Sequence, residues 1–249
     1  LNATLEPQDS ESTFSRLSDS HLGILREIVA SPLLIRNDQN ELYLVVVSVS
    51  GVVKMYDVKG SEIWSIDITP GESTLIYHMA DVRTRAEASS IKGTIHSPIL
   101  DSDRGRIIIS DISGLIVCIR AQDGKTIWKR DLGDHDISII LLGHPEYVQK
   151  SGTLLVPLTN RSLVELDVMN GNLKRIWNLS DRIMSSPISM VHTQLHDEIT
   201  IYVVSWNGHV HAINEKSGES RWDVDLGELV ESSPIVVSAE DISDRSMFI

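Results

Sequence analysis

The chain has 249 residues and a mass of 27.7 kDa, enough for one large all-β unit or two ordinary domains; with 41% hydrophobic and 23% charged residues, it is neither disordered nor collagen-like. Its 22 Lys and Arg against 35 Asp and Glu leave a formal net charge of −13, which repels phosphate backbones and argues against nucleic acid as a partner. The longest apolar runs fall far short of the roughly 18–20 residues needed to cross a bilayer, so no membrane span is expected in this segment.

Residues 1–27 read as a polar lead-in or the edge of a preceding structural unit. Leu5 to Ser20 is rich in Ser, Asp and Glu, and Leu22 to Ile28 suits a short helix or a strand, with Phe14 standing where other units carry Trp. Four units of one kind follow, at about 28–68, 94–132, 136–180 and 183–226, and part of a fifth at 229–249.

The first unit runs from VASPLLI around Pro32, through LYLVVVSVSG ending at Gly51, to VVKMYDVKGSEIW ending at Trp64. Thr69 to Gly93 is then an insertion. The second unit repeats the plan with IHSPIL around Pro98, RIIISDISG ending at Gly114 and IVCIRAQDGKTIW ending at Trp128. Cys118 lies inside its strand-like run LIVCIR. As the only cysteine it excludes an internal disulfide and a multi-cysteine zinc site, and it reads as an inert buried thiol. Gly133 to Gln149 is a milder irregular stretch. The third unit lacks the Ser-Pro landmark and has LLVPLTNRS before LVELDVMNGNLKRIW, which ends at Trp177. The fourth has MSSPISM around Pro187, ITIYVVSWNG ending at Gly208 and HVHAINEKSGESRW ending at Trp222. ESSPIVV around Pro234 opens a fifth unit, whose second strand would begin at SMFI.

The turn glycines Gly60, Gly124, Gly171 and Gly218 are separated by 64, 47 and 47 residues, a repeat that accident does not readily supply. Each unit reads as four short antiparallel strands joined by hairpins, and such a period predicts an all-β fold of propeller blades. The recurrent Trp64, Trp128, Trp177 and Trp222 are read as wedges between neighbouring blades. Four blades and part of a fifth would leave open strand edges, so a larger ring of seven or eight blades is expected.

The pattern strand, x-x-Gly-x-x-x-Trp, followed by Ser-Ser-Pro, resembles the pyrroloquinoline-quinone (PQQ)-like repeat of quinoprotein propellers. DVKGSEIW, AQDGKTIW and NEKSGESRW carry the likeness, whereas VMNGNLKRIW has extra length before its Trp. The resemblance covers about Val29 to Val237. It implies either a PQQ- and Ca²⁺-dependent dehydrogenase or a cofactor-free scaffold that binds proteins; repeats of this type also occur as accessory domains of larger enzymes, adenylate-forming ones included. The family's adjacent-cysteine ring cannot form around one Cys, which favours the scaffold members.

Other chemistry is thin. Asp101, Asp103, Asp111 and Asp134 lie near strand ends but match no metal-binding loop, and turn capping accounts for them. His209 and His211 alternate on one strand, and His192 and His196 are four apart, without a third ligand for zinc. No nucleophile elbow, phosphate-binding loop or dinucleotide fingerprint occurs. Three sequons, at Asn2, Asn160 and Asn178, suggest N-glycosylation and a secreted or luminal location, with cytoplasmic as the alternative. The expectation is a non-catalytic scaffold without a cofactor that contacts protein partners through loops or blade edges, the first candidates being Thr69 to Gly93 and Gly133 to Gln149.

Overall fold

The computed structural model describes residues 30–37, 39–68, 93–133, 139–192 and 198–237. They form four antiparallel four-stranded sheets, each a simple meander in sequence order. The first blade holds β1 (Leu33–Arg36), β2 (Leu42–Val47), β3 (Val52–Asp57) and β4 (Glu62–Asp67). The second holds β5 (Ile99–Asp101), β6 (Arg106–Ser110), β7 (Leu115–Arg120) and β8 (Thr126–Asp131), with a 3₁₀ turn at Ser102–Arg104. The third holds β9 (Glu146–Val148), β10 (Thr153–Pro157), β11 (Ser162–Asp167) and β12 (Leu173–Asn178). The fourth holds β13 (Ile188–His192), β14 (Glu198–Val204), β15 (His209–Asn214) and β16 (Ser220–Asp225).

Three apolar clusters fill the three seams between blades. Val45, Val53 and Met55 of the first blade meet Ile107, Ile109, Val117 and Ile119 of the second. From the other face of the second blade, Ile108, Ile116 and Cys118 meet Leu154, Val156, Val164 and Leu166 of the third. Leu155 and Leu163 then meet Ile199, Ile201, Val203 and Ile213 of the fourth. Successive residues of a strand point to opposite faces, so a blade with neighbours on both sides needs apolar residues at every position. That is why the middle blades read RIIIS, LIVCIR and TLLVP as unbroken runs. In the outermost strand of the fourth blade, by contrast, every residue is exposed.

The Ser-Pro landmarks have a shared task. The Ser31 N–H donates to Ser97 Oγ at 3.1 Å, and the Ser186 N–H donates to Ser233 Oγ at 2.9 Å. The third blade, which lacks Ser-Pro, enters β9 through His144-Pro145, and the His144 N–H donates to Ser186 Oγ at 2.8 Å. Histidine thus takes the place of serine in the ladder that ties each inner strand to the next.

Ser233 occupies the position of a fifth inner strand, yet residues 226–237 carry no strand. An inner strand of this kind is defined by pairing with the next strand of its own blade, and SMFI lies outside the described residues. Also outside them are Leu5 to Ser20, Leu22 to Ile28 and Phe14.

Candidate functional site

The wedge residues come first, because they set where clefts can open. Trp64 Nε1 donates to the Ala121 carbonyl at 2.9 Å, and Trp128 Nε1 donates to the Val168 carbonyl at 2.8 Å. Each indole lies on the turn glycine of the next blade: a Cβ at Gly124 would stand 2.8 Å from the Trp64 ring, and one at Gly171 would stand 2.6 Å from the Trp128 ring. These glycines also hold φ of 69° and 71°, a left-handed backbone that favours glycine.

The third seam departs from this plan. Five residues separate Gly171 from Trp177, where three separate Gly60 from Trp64, so Arg175 falls at the wedge position opposite Glu165. Its guanidinium covers Gly218 and donates to the carbonyls of Glu215 at 2.7 Å and Lys216 at 3.2 Å. Trp177, two residues further along β12, lies under Arg175, packs against the third-seam cluster and donates to the Gly218 carbonyl at 2.9 Å. The extra length seen in the sequence thus substitutes an arginine for the tryptophan wedge. Trp222, in the last described strand, is 45% exposed and touches Tyr202, and among the described residues Gly60 has nothing within 4 Å of a built Cβ.

The sequence-derived polar candidates are held by local structure. Asp111 is buried and accepts from the N–H groups of Gly93 and Ser113. Asp101 is buried against Arg104, and Asp103 accepts from Gln149 Nε2 at 2.9 Å. Asp134 lies outside the described residues. Cys118 is buried, and loss of hydration pushes its thiol up to about 11. His192 bonds Thr200 Oγ1, while His196 lies outside the described residues.

His209 and His211 share a face, their rings stacked 6.0 Å apart with Asp223 bonded to both. Burial lowers the pKa of His211, whereas the Asp223 hydrogen bond raises that of His209. His211 Nε2 lies 3.2 Å from Ser205 Oγ, an order of groups resembling a hydrolase triad. Ser205 is fully buried and its hydroxyl already meets Ser180, Asn207 and the His209 carbonyl, so this array clamps the third seam. No group of three or more His, Cys, Asp or Glu among the described residues is placed to hold a metal ion.

Sequence reasoning had no means of finding one further feature. A cleft of about 970 Å³ opens between the first two blades, at the end where β1 turns into β2 and β7 into β8. Ile35, Met55 and Leu100 are its apolar lining, Ile63 and Ile127 its more exposed apolar residues, and Tyr43, Asp103, Arg104 and Gln122 are among its polar ones. At the corresponding end of the second seam, Arg106 bonds the Val168 and Met169 carbonyls and Arg104 reaches Tyr147 OH, closing the gap. In the first blade the position of Arg106 is held by Tyr43, which lines the cleft and donates through its hydroxyl to Glu41 Oε2 at 2.9 Å. Asn160 and Asn178 are exposed at the opposite end of the third blade, brought together by the pairing of Ser162 with Asn178; Asn2 lies outside the described residues. Of the expected contact loops, residues 69–92 and 134–138 also lie outside them.

Residues 49–223 match the PQQ-like repeat family model described as outer membrane protein assembly factor BamB. The chain belongs to that family. It is 22% identical over 156 residues to an uncharacterised protein, RC0314, of Rickettsia conorii, covering 60% of this chain and 34% of that protein. The crystal structure of BamB from Moraxella catarrhalis superposes with a TM-score of 0.53 at 14% identity, over 83% of this chain and 55% of that one. A quinohemoprotein alcohol dehydrogenase from Comamonas testosteroni gives 0.54 at 12% identity, over 82% and 35%. The chain therefore spans about a third to a half of the length of these proteins. Such identities carry the fold, and the same fold serves an assembly factor and an oxidoreductase.

Proposed function

We propose that the chain is part of a non-catalytic propeller scaffold that holds another protein at the hairpin end of its blades. The observation that carries this reading is the cleft between the first two blades. Its walls are turns anchored in complete sheets, its floor is apolar, and its volume suits a segment of polypeptide.

Two features extend the reading to the whole protein. Exposed Trp222 and uncovered Gly60 are the two halves of the contact that closes the first two seams, so further blades of the same repeat are proposed to complete a ring of seven or eight. An extracytoplasmic or luminal location is supported by exposed Asn160 and Asn178, which would carry glycans on the end away from the cleft.

The test is isolation of the intact protein from its source with its associated proteins. Replacing Ile63 and Ile127 at the rim of the cleft with Lys should release a bound protein that the unaltered chain retains. Quinone-dependent dye reduction that saturates on addition of PQQ and Ca²⁺ would overturn the scaffold in favour of a dehydrogenase.

A further inference from the structure

We propose that the junction between the second and third blades is an acid-operated joint, held closed by a reciprocal pair of histidine bonds and opened when both imidazoles carry a proton. The joint is independent of what the cleft holds. Where the inner ladder is built from Ser-Pro, its rungs are an N–H on a serine hydroxyl, Ser31 on Ser97 and Ser186 on Ser233, and neither group titrates. The second junction replaces that rung. His144, in the entry to the third blade, donates through Nε2 to the Ser97 carbonyl at 2.8 Å, and His96, beside Ser97, donates through Nε2 to the Leu142 carbonyl at 3.0 Å. Each blade thus lends its neighbour one imidazole. The residues at the matching positions of the other entries are Ala30-Ser31, Ser185-Ser186 and Ser232-Ser233, so the histidine pair in the ladder is confined to this junction.

The two rings meet edge to face with their centroids 5.8 Å apart. A neutral imidazole has one N–H, and His144 turns its nitrogens on two carbonyls, Pro145 at 2.7 Å and Ser97 at 2.8 Å, so a proton added to this ring finds an acceptor. His96 is placed otherwise. It is 6% exposed, and its Nδ1 meets Ser110 Oγ at 3.2 Å. The third blade's entry faces it with Leu142 and His144, and β6 faces it with Ser110; Asp111, the next residue, is turned to the N–H groups of Gly93 and Ser113. Among the described residues no carboxylate bonds either ring.

The direction of the acid response follows from this setting. Burial first, and then the charge of a protonated His144, hold the His96 pKa down at about 4 although the Leu142 bond opposes them, whereas a hydrated His96 returns to its ordinary value of 6.5. The closed joint therefore binds this proton less well than the open one. Closure is undisturbed above about pH 7 and weakens progressively as pH falls through 6.5 toward 4.

Backbone bonds between blades report each junction separately. The Thr94 N–H donates to the Val49 carbonyl across the first junction, and the Leu141 N–H donates to the Ile112 carbonyl across the second. Hydrogen exchange of the intact protein is resolved to single amides and corrected for the intrinsic rate at each pH. The opening constant at Leu141 should rise about tenfold between pH 7.5 and 5.5, the factor by which a group titrating near 6.5 gains on one near 4 over that interval, while Thr94 should change by less than about twofold. His96→Gln, whose amide can still donate to the Leu142 carbonyl, should abolish the rise at Leu141. An NMR titration of the imidazole Cε1–H signals needs no variant, and it should place the His96 midpoint below about 5. No rise at Leu141, an equal rise at Thr94, a rise that survives His96→Gln, or a His96 midpoint near 6.5 would overturn the proposal.

Discussion

A methyl group added at Gly171 would stand 2.6 Å from the Trp128 ring, while one added at Gly60 would meet nothing among the described residues, although both residues hold a positive φ. The pair therefore separates backbone strain from seam packing. Gly60→Ala should cost about 1 kcal/mol from conformation alone, and Gly171→Ala about 3 kcal/mol or more because Trp128 must also move. Chemical denaturation of the two variants measures the difference, and equal losses would show that the glycine is chosen for its dihedral only. His96 gives a second residue-scale prediction. It is buried, with Nε2 donating to the Leu142 carbonyl, Nδ1 bonded to Ser110 and its ring against His144, and burial pushes its pKa down to about 4. The unfolded chain then binds this proton more readily than the folded one. Stability falls as pH drops from about 6.5 toward 4, by on the order of 3 kcal/mol across the window. His96→Gln should flatten that part of a melting-temperature profile, and an unchanged slope would assign the loss to other groups.

At the scale of the element, the seam is the unit of stability. Trp128 is 8% exposed and bonded to Val168, so Trp128→Ala should cost about 3–5 kcal/mol, as buried aromatic truncations do. Trp222→Ala should cost less than about 1 kcal/mol, because the ring is 45% exposed and no following blade covers it among the described residues. Thermal melts decide this, and similar losses would contradict the seam account. The same seams explain what the sequence could reveal. Blade count, strand order and the wedge of the first two seams were legible because turn glycine, three residues and Trp is a local pattern. The inner strand of the third blade was not, since His144-Pro145 does the work of Ser-Pro through a contact 42 residues away at Ser186. Nor was Arg175, whose role depends on the Glu215 carbonyl of another blade. Sequence spacing marks only Trp177, two residues further on.

At the scale of the whole molecule, the two ends of the blades have different characters. The cleft opens where β1 turns into β2, and the sequons Asn160 and Asn178 sit where β10 turns into β11, at the opposite end. No reading of the sequence alone could have found the cleft. It lies where Tyr43 holds the position that Arg106 has in the second blade, and its lining is assembled from separate turns of two blades. The sequons were visible as motifs, but their pairing through Ser162 and Asn178 needed the register of β11 with β12. If the chain is luminal or secreted, the intact mass of the native protein should fall on enzymatic removal of N-glycans, and the loss should map to Asn160 or Asn178. A mass unchanged by that treatment would count against the glycoprotein reading.

The measurement that bears most directly on the central claim is site-specific photo-crosslinking in the native source. A photoreactive residue is placed at Gln122 on the cleft or, for comparison, at Arg161 beside the sequons. A cleft that holds a partner predicts a discrete protein adduct from Gln122, abolished by Ile63→Lys with Ile127→Lys, and none from Arg161. Adducts from Arg161 alone, or adducts from Gln122 that survive the cleft substitutions, would contradict the account and move the binding surface elsewhere.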